Sequence, residues 1–62
     1  MNATVIINGM SWNFNNMKDA RELAKVNAIV LSDNAYIIKG NDKYAYEYYD
    51  CKGKLHKSEV AL

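Results

Sequence analysis

The dipeptide Asn8-Gly9, flanked on both sides by alternating apolar and polar residues, is the feature that most restricts how this chain folds. Both central residues of a type I′ turn need positive φ, and Asn followed by Gly tolerates this best. A two-residue loop also fixes which residues face each other across the strands. We therefore predict an antiparallel hairpin over residues 3–14 with one apolar face and one mostly polar face. The expected pairs on the apolar face are Ala3 with Phe14, Val5 with Trp12, and Ile7 with Met10.

A helix is predicted to follow the hairpin. Asn15 or Asn16 is a suitable N-cap, and Asp19 places a carboxylate in the first turn, where the helix dipole favours it. The helical spacing continues for about twelve residues, and Asn27 can end the helix in a left-handed conformation. Because so short a helix is not stable alone, we expect it to pack on the apolar face of the hairpin. The residues expected on its buried side are Met17, Ala20, Leu23, Ala24 and Asn27.

The second half of the chain alternates between strand-forming segments and short turns. Residues 28–31 form an apolar run that we expect to be buried, and strands are predicted over 35–39, 43–49 and 55–60. The sequence thus predicts one small α+β domain over residues 1–62, in which a β-hairpin, a helix and an antiparallel meander follow each other in the order ββαβββ. The opening hairpin and helix resemble the start of a β-grasp domain, a likeness of fold that implies no function.

The last two predicted strands form a second hairpin, closed by a turn over residues 50–53 in which Gly53 takes positive φ. The expected pairs are Tyr49 with Leu55, Tyr48 with His56, Glu47 with Lys57, Tyr46 with Ser58, and Tyr44 with Val60. Opposite charges that face each other across two strands attract. The pairing of Glu47 with Lys57 therefore predicts that their side of the hairpin faces solvent.

The alternating tyrosines of the predicted strand over residues 43–49 are the most distinctive candidate for a functional site. They could form a protein-binding hot spot, because tyrosine offers a large contact area at low entropic cost. With nearby lysines they could instead form a stacking platform for single-stranded nucleic acid. A third interpretation places the rings in the core beneath the helix, with their hydroxyls at its rim. The candidate partner-binding residues are Tyr36, Tyr44, Tyr46, Tyr48, Tyr49, Lys39, Lys43 and Lys57.

The composition argues against several classes of protein. The net charge is +1, so the chain lacks the basic excess of a dedicated duplex binder and the acidity of a DNA mimic. One cysteine and one histidine provide neither a disulfide framework nor a metal centre. His56 and Ser58 lack a recognisable acid and oxyanion motif, and Cys51 lacks a base, so we expect no catalytic residues and no cofactor. The chain is therefore not expected to be an enzyme.

Origin and compartment are inferred from weaker signals. The chain contains eight Asn, five Tyr and five Ile, residues whose codons are rich in A and T, which suggests a bacteriophage or a low-GC bacterium. No apolar run approaches the roughly 18 residues of a membrane span. Neither a secretory signal nor paired cysteines are visible, so we expect a cytoplasmic protein.

The sequence leaves three hypotheses for function. The first is a small protein-binding regulator or inhibitor of the bacteriophage type, which modulates a host factor through an aromatic sheet face. The alternative is a nucleic-acid-binding module that uses the tyrosine-lined sheet and its flanking lysines. The third is a structural subunit of a larger assembly. We also expect self-association, as a homodimer, because small cores supply little stability and the edge strand over residues 55–60 could pair between copies.

Overall fold

The computed structural model describes residues 2–62, within which it contains one helix and seven strands. Met1, the first residue of the predicted domain, lies outside the described residues. The elements are β1 (Ala3–Ile7), β2 (Met10–Phe14), α1 (Met17–Leu31), β3 (Ala35–Lys39), β4 (Tyr44–Ala45), β5 (Glu47–Tyr49), β6 (Leu55–His56) and β7 (Val60–Ala61). The order of the elements agrees with the prediction, except that each of the last two predicted strands is divided in two.

The opening hairpin forms as its turn residues require. Asn8 has a φ of 49° and Gly9 a φ of 80°, so both central residues occupy the left-handed region that a type I′ turn needs. Every predicted pair between β1 and β2 is present, from Ala3 opposite Phe14 to Ile7 opposite Met10. The side chains of β1 alternate between buried and half-buried positions, so the predicted apolar face is the one that enters the core.

The predicted α+β fold with an antiparallel sheet is confirmed. Five strands form a sheet in the order β2-β1-β3-β5-β6, and β4 and β7 form a separate two-stranded sheet. All the strand pairs are antiparallel, so β2 and β3, which flank β1, run in the same direction and α1 connects them. The likeness to a β-grasp domain is therefore limited to the hairpin and helix, since β-grasp sheets have a parallel pair at their centre.

Helix α1 begins as predicted and ends one turn later than predicted. The side-chain oxygen of Asn16, the N-cap, accepts a hydrogen bond from the backbone amide of Asp19 at 2.8 Å. The helix continues through Asn27, whose side-chain nitrogen donates to the carbonyl oxygen of Leu23 at 3.0 Å. It ends at Ser32, which has a φ of 52°. The prediction that Asn27 ends the helix was wrong because its side chain bonds within the helix.

Alanines place the helix close to the sheet. Ala20, Ala24 and Ala28 recur every four residues and are fully buried, so one narrow stripe of α1 meets β1 and β3. The largest fully buried side chains are those of the strands: Val5, Ile7 and Ile37. Among the other residues expected on the buried side of the helix, Met17, Leu23 and Asn27 are only half-buried. The small alanines thus let the helix lie close to the sheet, while the strand side chains supply most of the apolar volume of the core.

The strand predicted over residues 43–49 is interrupted at Tyr46. Residues 44–45 belong to the two-stranded sheet and residues 47–49 to the five-stranded sheet, with a bend between them. The last strand is divided in the same way, into β6 and β7. The prediction of two uninterrupted strands was therefore wrong, although the strand-forming segments were correctly located.

One extra residue explains why both strands divide. Tyr48 pairs with His56 as predicted, but Tyr44 pairs with Ala61, one residue later than predicted. The segment between β6 and β7 therefore holds one residue more than the facing strand can match. Such a β-bulge bends its strand and disrupts the ladder locally. It ends the five-stranded sheet here and lets the far end of the hairpin form its own pair of strands.

Glu47 is buried beside the helix instead of facing solvent. Only 6% of its side chain is exposed, and its two carboxylate oxygens accept hydrogen bonds from Nε and Nη2 of Arg21, both at 3.0 Å. These hydrogen bonds raise the pKa of Arg21 above its ordinary value. The predicted pair with Lys57 was wrong, since the bulge removes that part of the ladder and Arg21 supplies a bidentate partner.

Candidate interaction surface

The face of the sheet that points away from α1 carries one continuous row of side chains across all five strands. Val5 and Ile37 face the helix, so their neighbours in the strands point to the opposite side. The strand register brings one outward residue from each strand side by side. We call this set the outer row; its members are Ser11, Ile6, Tyr36, Tyr48 and His56.

Three aromatic rings in the outer row contact one another. The ring centroids of Tyr36 and Tyr48 lie 5.2 Å apart with an interplanar angle of 41°, and those of Tyr48 and His56 lie 4.9 Å apart with an angle of 11°. These separations lie in the range of favourable aromatic pairs. The side-chain nitrogen of Asn34 also donates to the Tyr36 hydroxyl at 3.2 Å. All three rings remain half-buried, so they present an ordered and partly accessible surface.

Asp50 holds the histidine at the end of this row. Nε2 of His56 donates to Oδ2 of Asp50 over 2.7 Å, and Oδ1 of Asp50 accepts the backbone amides of Lys52 and Lys54. The hydrogen bond from His56, with those from the two amides, lowers the pKa of Asp50 to about 2. Sequence reasoning found no acid for His56, because Asp50 reaches it only when the turn closes. Asp50 thus fixes both the turn and the ring.

Tyr44 and Tyr46 lie apart from the outer row, beside the bulge. They are 42% and 45% exposed and alternate with the buried Ala45 and Glu47. Partial desolvation raises the pKa of Tyr46, and the neighbouring carboxylates of Asp42 and Glu59 raise it further. Tyr46 thus has acidic neighbours.

The other predicted site residues are spread over different sides of the molecule. Tyr49 lies on the helix side of β5, where it packs against the core. Lys39 follows the buried Ala35 and Ile37 in the alternation of β3, so it belongs to the helix side as well. Lys43 and Lys57 are exposed outside the strands. The tyrosines therefore do not all form the core under the helix, and Lys39 does not flank the outer row.

A second exposed apolar surface lies on the last two turns of the helix. The run over residues 28–31 was expected to be buried, but only Ala28 is. Val30, for example, is 69% exposed. We call this surface the helix patch; its members are Val26, Ile29, Val30 and Leu31. Sequence reasoning missed it because an uninterrupted apolar run is more often buried than exposed.

Neither a metal-ion cluster nor a membrane-spanning helix is found among the described residues. Across residues 2–62, no group of three or more His, Cys, Asp and Glu side chains is placed to hold a metal ion. Helix α1 is too short and too polar to cross a membrane. Cys51 is a free, exposed thiol at the turn between β5 and β6.

Comparison of the chain with protein-family models, with curated proteins and with solved structures gave no match. Function therefore has to be inferred from the geometry of the chain itself. Within that geometry, the outer row is the set of candidate residues that the fold brings together most closely. It includes two of the five predicted tyrosines and adds His56, whose pairing with Tyr48 was predicted but which was not among the candidate partner-binding residues.

Proposed function

We propose that this protein acts by binding another protein through the outer row, as a small regulator or inhibitor without catalytic activity of its own. The observation that carries the proposal is the contact between Tyr36, Tyr48 and His56 on the face opposite the helix. Tyrosine side chains dominate many protein interfaces because they bury much area at low entropic cost. Asn34 and Asp50 already hold two of these rings in place, which lowers the cost of ordering them on binding.

The charges around the aromatic rings favour a protein partner over nucleic acid. Single-stranded nucleic acid binds to stacked aromatic rings that lie in a positively charged groove. Here the ring of His56 is bonded to a carboxylate, and Lys39 lies on the helix side of the sheet. A surface of mixed charge at a net charge of +1 fits a protein interface better.

We further propose that the partner is a bacterial factor. The support for this step is the composition, since the excess of Asn, Tyr and Ile is typical of A/T-rich genomes such as those of many bacteriophages. A small chain that acts on a host factor needs only one binding surface. The outer row provides such a surface without a catalytic pocket.

The test is capture of a partner from bacterial lysate by immobilised protein, with two matched variants. Tyr36→Thr/Tyr48→Thr removes two rings and keeps residues that favour strands. Lys18→Ala/Glu22→Ala changes the exposed side of the helix instead. We expect one stoichiometric partner with the wild type and the helix variant, and none with the tyrosine variant, whose folding is checked by circular dichroism.

Two results would contradict the proposal. One is equal capture by the folded tyrosine variant, which would place the interface elsewhere. The other is salt-sensitive binding of single-stranded DNA or RNA that depends on the same tyrosines, which would favour the nucleic-acid alternative.

A further inference from the structure

The eight asparagines of this chain divide into two groups of four. Each member of the first group has a structural role. Asn8 takes the positive φ of the hairpin turn, and Asn16 caps the helix. Asn27 bonds a carbonyl oxygen within the helix, and Asn34 donates to a tyrosine hydroxyl. The fold therefore explains why these four positions carry asparagine.

The members of the second group meet in one cleft. It has a volume of about 460 Å³ and lies at the end of the sheet opposite the Asn8-Gly9 turn. Its walls come from three segments: the start of β1 with the residue before it, the end of β2 with the residue after it, and the turn that follows β3. The asparagines that line it are Asn2, Asn13, Asn15 and Asn41.

Two hydrogen bonds give the cleft its shape without a ligand. The amide of Gly40 donates to the carbonyl oxygen of Asn2 at 2.8 Å, which ties the turn to the start of β1. The hydroxyl of Thr4 donates to Oδ1 of Asn13 at 2.8 Å and orients that amide. Because its oxygen is engaged, Asn13 keeps its NH₂ group as a donor for a ligand.

The chemistry of the lining restricts the ligand. All seven lining residues are uncharged: the four asparagines, Thr4, Phe14 and Gly40. Among the described residues, the cleft lining thus offers no charged side chain to a phosphate or a carboxylate. A primary amide offers two donors and a carbonyl acceptor. The lining therefore suits a neutral molecule that has several hydroxyl groups.

We propose that this cleft binds a neutral saccharide. Sugar hydroxyls both donate and accept hydrogen bonds, as the amides do. The volume lies within the range of small-molecule sites. Thr4 and Asn13 lie two residues along their strands from Ile6 and Ser11 of the outer row, roughly 7 Å away, so the two sites adjoin but do not overlap. The saccharide site does not depend on the proposed protein interface.

The test is nuclear magnetic resonance of the ¹⁵N-labelled full chain, titrated with glucose, galactose, mannose, N-acetylglucosamine and maltose. The eight asparagine side-chain amides report on both groups in one spectrum. We expect at least one sugar to shift the four cleft amides together and saturably, with a dissociation constant of roughly 1–10 mM. The amides of Asn16 and Asn34 should not move. Asn41→Ala should weaken binding roughly three- to tenfold, whereas Asn34→Ala should leave it unchanged.

Three results would overturn the inference. The first is the absence of a saturable shift of the cleft amides with all five sugars. The second is saturation of these amides by adenosine or uridine at lower concentrations than by any sugar, which would assign the cleft to a nucleobase. The third is undiminished sugar binding by a folded Asn13→Ala/Asn41→Ala variant. Partner capture by the outer row would remain intact in all three cases, so the two proposals fail separately.

Discussion

At the scale of single residues, the contact between Arg21 and Glu47 shows how a charge is kept inside so small a core. The two residues are 26 positions apart in sequence, and they meet because α1 lies across β5. Glu47 shares the inward side of its segment with Ala45, which is also buried. A carboxylate buried there requires a hydrogen-bonded cation. The sequence offered Lys57 as a nearer partner, so the true one could not be identified before the helix was placed.

The first prediction concerns this ion pair. Arg21→Ala leaves a buried carboxylate without its bidentate partner, so we expect a loss of about 1–3 kcal/mol in the free energy of unfolding. Lys18→Ala, at an exposed position of the same helix, is the control and should change stability by less than about 0.5 kcal/mol. Urea unfolding followed by circular dichroism measures both. Equal stability of the two variants would show that Glu47 does not rely on Arg21.

The second prediction concerns pH. The pKa of Asp50 falls from its ordinary 3.8 to about 2 in the folded chain, so its carboxylate stabilises the fold above about pH 4. This contribution should be lost as the pH decreases from about 4 to about 2. Asp50→Asn keeps an oxygen to accept the amides of Lys52 and Lys54 but removes the charge. We expect the variant to lose less stability over this acid range; the same loss as in the wild type would be evidence against the role of Asp50.

At the scale of elements, the two hairpins show when local sequence is sufficient to predict which residues pair across two strands. The two residues Asn8 and Gly9 determine the turn and the register of the first hairpin, and every predicted pair between β1 and β2 is present. The second hairpin turn also formed as predicted, with Gly53 at a φ of 79° and its amide bonded to the Asp50 carbonyl oxygen. The break at Tyr46 was not predictable, because a bulge depends on how the strand bends around the core and leaves no turn residue as a signal.

The third prediction concerns where the helix ends. Ser32 adopts a φ of 52° without being glycine, so Ser32→Gly should relieve strain and stabilise the protein by up to about 1 kcal/mol. Asn27→Gly, inside the helix, should destabilise it by roughly 0.3–1 kcal/mol, because helix propensity falls and the hydrogen bond to Leu23 is lost. Had the helix ended at Asn27, as the sequence suggested, the two changes in stability would have the opposite signs. Thermal unfolding of the two variants decides between these endings.

At the scale of the whole molecule, both proposed binding sites lie on the same face of the five-stranded sheet. Helix α1 covers one side of the five-stranded sheet, and the outer row and the asparagine-lined cleft share the other. Sequence reasoning selected the tyrosines because their alternation is visible. It missed the cleft, since three separate segments supply it, and the excess of Asn was its only sequence signal. Whether a residue belongs to either site depends on the strand register. A single sequence determines that register only where a tight turn fixes it.

The most direct test of the account is site-specific photo-crosslinking in bacterial lysate from three positions on the folded chain. A benzophenone side chain replaces Tyr48 in the outer row, Val30 in the helix patch, or Lys18 on the polar side of the helix. The account predicts one discrete crosslinked partner from position 48 and none from positions 30 and 18. Crosslinking from position 30 with none from position 48 would assign the interface to the helix patch and contradict the central claim.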